Sequence, residues 1–173
     1  MKLDKNLQPD KALSAVCGLY CPACKLFIGT REEPEQLASL AQQIGKNVDE
    51  LKCDGCRSDR LCFFCKTQCI MKPCAAEKGI DFCGECDEYP CDDIKKFQSA
   101  RPHRRELWES QKRIKEEGYE KWFLYMTSHY ACPECGVLNS AYNVACRRCG
   151  HTPSNAYVKR HLEAVLGDLK NKK

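Results

Sequence analysis

Sixteen cysteines in a chain of 173 residues, most of them in pairs separated by two residues, restrict the folds open to this sequence more than any other feature. They stand at Cys17, Cys21, Cys24, Cys53, Cys56, Cys62, Cys65, Cys69, Cys74, Cys83, Cys86 and Cys91, and then at Cys132, Cys135, Cys146 and Cys149. A tetrahedral metal site uses thiolates four at a time, so a block of twelve followed by a set of four predicts three sites plus one.

The same count specifies disulfides in an oxidising compartment and metal ligands in a reducing one. The opening MKLDKNLQPD carries no apolar stretch behind its lysines of the kind a secretory leader has. No window approaches the roughly 18 to 20 uninterrupted apolar residues that span a bilayer. The expectation is a cytoplasmic chain with no membrane association, whose reduced Cys-x-x-Cys pairs hold metal.

Apolar residues are sparse in the first block, with Leu19, Leu26, Phe27, Ile28, Phe63, Phe64, Ile70, Ile80 and Phe82 scattered among the thiols. So little apolar surface does not offset the ordering entropy alone, and bound metal is expected to supply folding free energy. Metal also changes the charge. Sixteen thiolates around four divalent ions shift the formal +4 by eight negative units, to about −4, so the basic composition is weak support for nucleic acid.

The motifs divide the chain into a twelve-cysteine metal-binding domain at 10–98, a helical connector at 99–130, a zinc ribbon at 131–152, and a C-terminal helix with a charged tail at 153–173. Apolar spacing predicts a helix over 32–44, with Pro34 in its first turn and Gly45 at its stop, and Asn47 capping a short continuation. Residues 53–91 read as ligands and turns, with Gly55 and Gly84 inside cysteine pairs where a metal knuckle needs small residues. Helices are expected over 92–98, 103–117 and 119–130, broken at Gly118, with Trp122, Phe123, Tyr125 and Met126 available to pack on the first block. Cys132-Pro-Glu-Cys135-Gly and Cys146-Arg-Arg-Cys149-Gly are two knuckles that a hairpin over 137–145, turning near Asn139 and Ser140, would join into a zinc ribbon. From Ser154 onward, Ala156, Leu162, Val165, Leu166 and Leu169 trace the apolar side of a terminal helix. The fold class expected is therefore a small, metal-stabilised, irregular α-rich cysteine-rich domain with a helical connector, a C-terminal β zinc ribbon and a terminal helix.

The strings Cys17-Gly-Leu-Tyr-Cys21-Pro-Ala-Cys24, Cys53-Asp-Gly-Cys56 and Cys74-Ala-Ala-Glu-Lys-Gly-Ile-Asp-Phe-Cys83-Gly-Glu-Cys86-Asp-Glu-Tyr-Pro-Cys91 resemble the family known as domain of unknown function 3795 over roughly residues 13–98. The helical stretch 113–122 followed by a zinc ribbon also resembles a common architecture of that family. The resemblance implies a bacterial or archaeal metal-binding block and no particular reaction. Cys62, Cys65 and Cys69 depart from the family's usual spacing, which leaves Cys62 the least secure ligand.

Several sharper chemistries compete with a structural metal role. Cys17-x3-Cys21-x2-Cys24 has the spacing of the radical S-adenosylmethionine cluster loop, but nothing in the chain alternates strand and helix as the barrel of that class requires. Cys21-Pro-Ala-Cys24 resembles a dithiol redox loop, yet 12–19 is too short and too cysteine-flanked to be the buried strand such a loop follows. An iron–sulfur cluster in the 17–91 block is the main alternative to zinc, given thiolate-only ligation, although no spacing matches a ferredoxin run. His103, His129, His151 and His161 are separated in sequence and read as surface or packing residues, with no nucleophile signature beside them. Arg101, His103, Arg104, Arg105, Lys112, Arg113, Lys115, Arg147 and Arg148 offer phosphate contacts, but Glu106, Glu109, Glu116, Glu117 and Glu120 are interleaved as on a solvated helix. The function expected is that of a non-enzymatic zinc-binding interaction module, with up to four Zn2+ in structural four-cysteine sites and a protein partner. An iron–sulfur protein in electron transfer or redox sensing is the alternative, and a nucleic-acid-binding zinc protein the second.

Overall fold

The computed structural model describes residues 2–170, so the charged tail expected at 170–173 lies, beyond Lys170, outside the described residues. Helix signals in the sequence translate directly where they are strong. Helices α1 (Lys25–Arg31) and α2 (Pro34–Gln43) follow one another, with Pro34 at the first position of α2, where its missing N–H is not needed. Gly45 leaves α2 at φ +64°, a left-handed turn that suits glycine. Asn47 and Glu50 form a reciprocal capping box on α3 (Val48–Leu51).

The stretch 53–91 holds more helix than its turn-rich sequence predicts. It contains α4 (Phe63–Thr67) and α5 (Met71–Glu77) and a 3-10 turn at Cys83–Glu85; a second such turn, at Cys21–Ala23 upstream of the stretch, likewise carries a cysteine pair. Helix α6 (Asp92–Ser99) follows as expected, whereas the helix expected from 103 begins only at α7 (Leu107–Glu117), after a 3-10 turn at Pro102–Arg104. Gly118, at φ +87°, separates α7 from α8 (Tyr119–Tyr130). Helix α9 (Ala156–Lys170) is kinked at His161. It turns Tyr157, Val158 and Val165 inward and leaves Ala156 and Leu166 exposed, a rotation of the face read from sequence.

The main apolar cluster draws on every part of the chain. Leu3, Tyr20, Phe27, Phe82, Trp122, Phe123, Leu138 and Tyr157 all belong to it. Tyr20, between two cysteines of the first motif, meets Phe123 edge-on at 5.0 Å and stacks on Tyr130 at 6.0 Å, while its hydroxyl pairs with Thr127 at 2.7 Å. Burying each such ring is worth about 1.5–3 kcal/mol, so the connector anchors the thiol loop that Tyr20 belongs to.

No β-sheet forms among the described residues, which corrects the expected β ribbon. Isolated bridges join Ala131 to Leu138 and Asp4 to Val137. The segment after the first knuckle dives into the core: Leu138 and Asn139 are fully buried and Ser140 and Ala141 nearly so, which precludes a two-stranded hairpin with a polar tip. The N-terminal residues take the pairing position instead, with Leu138 N–H donating to Leu3 C=O and Lys5 N–H to Gly136 C=O.

Candidate metal centres

Cys132, Cys135, Cys146 and Cys149 place their four sulfurs within 4.8 Å of one another. Cys132 to Cys149 and Cys135 to Cys146 are each 3.6 Å apart. Four thiolates at about 2.3 Å from one ion in a tetrahedron stand about 3.8 Å apart, so the spacing fits a single ion held by four thiolates. Two equivalent knuckles build it. In the first, Cys132 N–H donates to Val137 C=O at 2.8 Å and Gly136 N–H returns to Cys132 C=O at 2.9 Å; in the second, Cys146 pairs with His151 and Gly150 with Cys146 at 2.8 and 3.0 Å. Gly136 and Gly150 both take positive φ, +72° and +75°, to close these turns.

The chemistry of these donors suits a cation. Burial raises the Cys146 thiol, but the N–H groups of Cys149 and Arg148, the Asn139 amide and the Cys132 thiol outweigh it and bring it down to about 6. Such a sulfur is a thiolate at neutral pH and a ready ligand. Asn139 Nδ2 lies 3.6 Å from Cys146 Sγ and donates to Val137 C=O at 3.0 Å, while its Oδ1 accepts from Arg147 N–H at 2.9 Å. Arg147, expected as a phosphate contact at a knuckle tip, is buried: its Nε donates to Leu138 C=O at 2.7 Å and its guanidinium clamps Glu32 and Glu33.

The upstream thiols are arranged more openly. Among the described residues, the four C-terminal cysteines are the one set of three or more potential ligands whose atoms all lie within 4.8 Å. Cys17, Cys53 and Cys62 are buried, Cys21, Cys56, Cys69, Cys83 and Cys86 half-buried, and Cys24, Cys65, Cys74 and Cys91 exposed. Peptide N–H groups point at several of the sulfurs. Cys17 accepts from Leu19, Cys21 from Cys56, Cys24 from Leu26 and Phe27, and Cys56 from Val16. Burial, followed by repulsion from Cys56, pushes the thiols of both Cys17 and Cys21 far up. That is the reverse of the lowered thiol a dithiol redox loop employs. Thiols crowded in this way ionise together only when cations neutralise them.

Gln111 on α7 escaped the sequence reading. It is fully buried, its Nε2 donating to Val16 C=O at 2.9 Å and its Oε1 accepting from Gly84 N–H at 2.9 Å, so it pins the first cysteine loop to the 83–86 turn. A Cβ on Gly84 would stand 2.8 Å from Gln111 Oε1, so close approach rather than knuckle flexibility accounts for this glycine. Gln111 falls on one helical stripe with Leu107 and Ile114, a polar residue at a core position, and that signal was present in the sequence. The histidines pack as expected. His161 Nε2 stands 2.8 Å from Glu106 Oε1, and His129 Nε2 2.9 Å from Glu106 Oε2, in a buried cluster between α7, α8 and α9.

No helix of the described chain is long and apolar enough to cross a membrane. Neither the curated proteins nor the solved structures contain a match to this chain. Residues 13–96, just under half of the chain and the part that carries the twelve upstream cysteines, match the family described as "Protein of unknown function (DUF3795)".

Proposed function

We propose that this chain is a zinc-binding protein whose sixteen thiolates hold structural ions, four thiolates to each, and that it serves as an interaction module. The observation that carries the reading is the sulfur tetrahedron of Cys132, Cys135, Cys146 and Cys149, with its 3.6 Å edges and its N–H donors. Nitrogen and oxygen ligands are missing from that set, and an all-thiolate tetrahedron suits Zn2+ or a single iron. The upstream ions would hold together a block in which thiols occupy positions that apolar side chains fill elsewhere. Partner binding is supported by Phe64 and Ile70, 41% and 50% exposed beside the upstream cysteines. Phosphate contact is a weaker reading because Arg147 is committed internally and Arg113 pairs with Glu117 while covering the Tyr125 ring.

A second reading places an iron–sulfur cluster in the 17–91 block, with zinc kept in the C-terminal set. It is favoured by sulfur-only ligation and by upstream thiols that stand wider than those of the C-terminal tetrahedron, since cluster thiolates bind separate irons. Element analysis of anaerobically purified protein separates the two. A colourless protein with about four zincs per chain, one for every four thiolates, fulfils the first reading. A brown protein holding iron and acid-labile sulfide replaces it with the second, and protein purified without metal overturns both.

A further inference from the structure

Resting on the metal reading of the upstream block, we infer that its twelve cysteines divide into three sites: Cys17, Cys21, Cys56 and Cys69; Cys24, Cys53, Cys62 and Cys65; and Cys74, Cys83, Cys86 and Cys91. Spacing alone leaves thousands of partitions open, and the fold reduces them.

The first group forms where the 14–21 loop interlocks with the 54–57 turn. Ala15 N–H donates to Leu19 C=O at 3.0 Å and Gly18, at φ +91°, turns the loop, while Arg57 N–H reaches Ala12 C=O at 3.3 Å and its Nε reaches Ser14 C=O at 3.0 Å. The interlock is reciprocal at the thiols, since Cys21 accepts the Cys56 N–H and Cys56 accepts that of Val16. Cys17, Cys21, Cys56 and Cys69 also share one packed cluster with Met71 and Leu19, which Cys83 of the third group borders.

The second group lies alongside α1. Cys24 sits at the N-terminus of α1, and Cys53 N–H donates to Thr30 Oγ1 at 3.0 Å on the same helix. Asp54 N–H to Arg60 C=O at 2.9 Å closes the loop that returns Cys62 to Cys53, and these two residues pack in one cluster with Leu26. Cys65 follows Cys62 one turn further on in α4. Cys62, the ligand its spacing made least secure, thus becomes the link of its group.

The third group surrounds the 83–86 turn. Cys74 comes from α5 and Cys91 precedes α6, while Tyr89 N–H closes onto Cys86 C=O at 3.0 Å. Lys78 Nζ lies 3.3 Å from Cys86 Sγ and anchors the turn to the end of α5.

The mutual repulsion of the thiols follows the same division. The largest thiol influence on Cys17 and on Cys21 is Cys56; on Cys24 it is Cys53, on Cys56 it is Cys69, and on Cys83 it is Cys91. Weaker influences cross between the groups, joining Cys83 to Cys17 and Cys69 and joining Cys21 to Cys24 and Cys53, so the first site adjoins both others. Closing each group on a single ion takes rotation of thiol side chains, since the upstream sulfurs stand wider than the C-terminal four.

Alkylation of the native, metal-loaded protein, read by mass spectrometry, tests the grouping. In wild type all twelve thiols should resist the reagent. Cys69→Ser should remove one site's metal and speed alkylation of Cys17, Cys21 and Cys56 at least tenfold, leaving the other eight protected. Cys65→Ser should do the same to Cys24, Cys53 and Cys62, and Cys91→Ser to Cys74, Cys83 and Cys86. A loaded protein whose newly reactive thiols cross these groups overturns the partition while the metal reading stands. A wild type whose twelve upstream thiols all react, with metal only for the C-terminal set, overturns the metal reading itself. Should a variant not fold, stepwise metal removal from wild type decides: thiols becoming reactive in these three sets support the partition, and release in one step or in mixed sets overturns it.

Discussion

Gln111, on the apolar stripe of α7, and Glu106, the residue just before that helix, are buried polar side chains, and each works through groups distant in sequence. Gln111→Ala leaves Gly84 N–H buried without a partner and takes from Val16 C=O one of its two donors, the other being Cys83 N–H. A loss of about 1–3 kcal/mol is expected for a buried group so orphaned, measured by denaturant unfolding of the loaded protein. Glu106 faces His129 from α8 and His161 and Arg160 from α9, with Glu109 sharing Arg160 and the Tyr130 and Tyr157 rings close by. Burial raises its carboxyl, but the bonds from His129 and His161 outweigh this and hold it below its ordinary 4.5. A carboxylate held low in the folded state stabilises above its unfolded value, and that stabilisation is lost as pH falls through the lowered value. Glu106→Gln should therefore cost about 1–3 kcal/mol at neutral pH and progressively less below pH 4.5, a convergence that melting curves of the two proteins across pH will show or refute. Neither site was legible beforehand as a site: the histidines are 32 residues apart in sequence, at 129 and 161, and nothing local marks their shared carboxylate.

At the level of elements, legibility followed length and punctuation. Helices α2 and α8 carry Pro34, Gly45 and Gly118 at their ends and enough turns for a stripe, while the short α3 is marked by its Asn47 cap alone, and their limits were readable to within about two residues. Helices α4 and α5, five and seven residues long, give too few turns for periodicity to register. Isolated helices shorter than about 12–15 residues are marginal in water, so tertiary contacts must hold these two, and on the proposed metal reading their thiolates add to that support. Chelation should accordingly release them first, seen as faster amide exchange over 63–77 before that of α7 and α8. Retention of protection in that segment after complete metal removal would contradict the dependence. The C-terminal set shows the opposite balance. Its ligands and glycines were fully legible because a knuckle is a local structure, whereas its scaffold was not. Asn139 and Arg147, which brace the second knuckle, looked like a hairpin tip and a surface cation because their partners lie in other segments.

For the whole molecule, the apolar cluster shared by residues from Leu3 to Tyr157 ties the thiol block, the helices and the C-terminal knuckles into one cooperative unit. A structural zinc in a small peptide site contributes about 10–16 kcal/mol at neutral pH, as much as the entire net stability of a typical domain at about 5–15 kcal/mol. The scarcity of apolar residues in the first block raises the expectation of such a dependence, but it gives no sign of the route by which distant segments are tied together. Leu3 pairs with Leu138, and Glu32 with Arg147, so the earliest residues complete their contacts with some of the last. During synthesis this order has a cost in time. All twelve upstream thiols leave the ribosome before residue 138 exists to receive Leu3, and contacts this remote in sequence form slowly. On the metal reading proposed above, oxygen, stray copper and disulfide exchange would compete with the ion for the same sulfurs throughout that interval, and the yield of loaded protein should follow how quickly metal reaches the nascent chain.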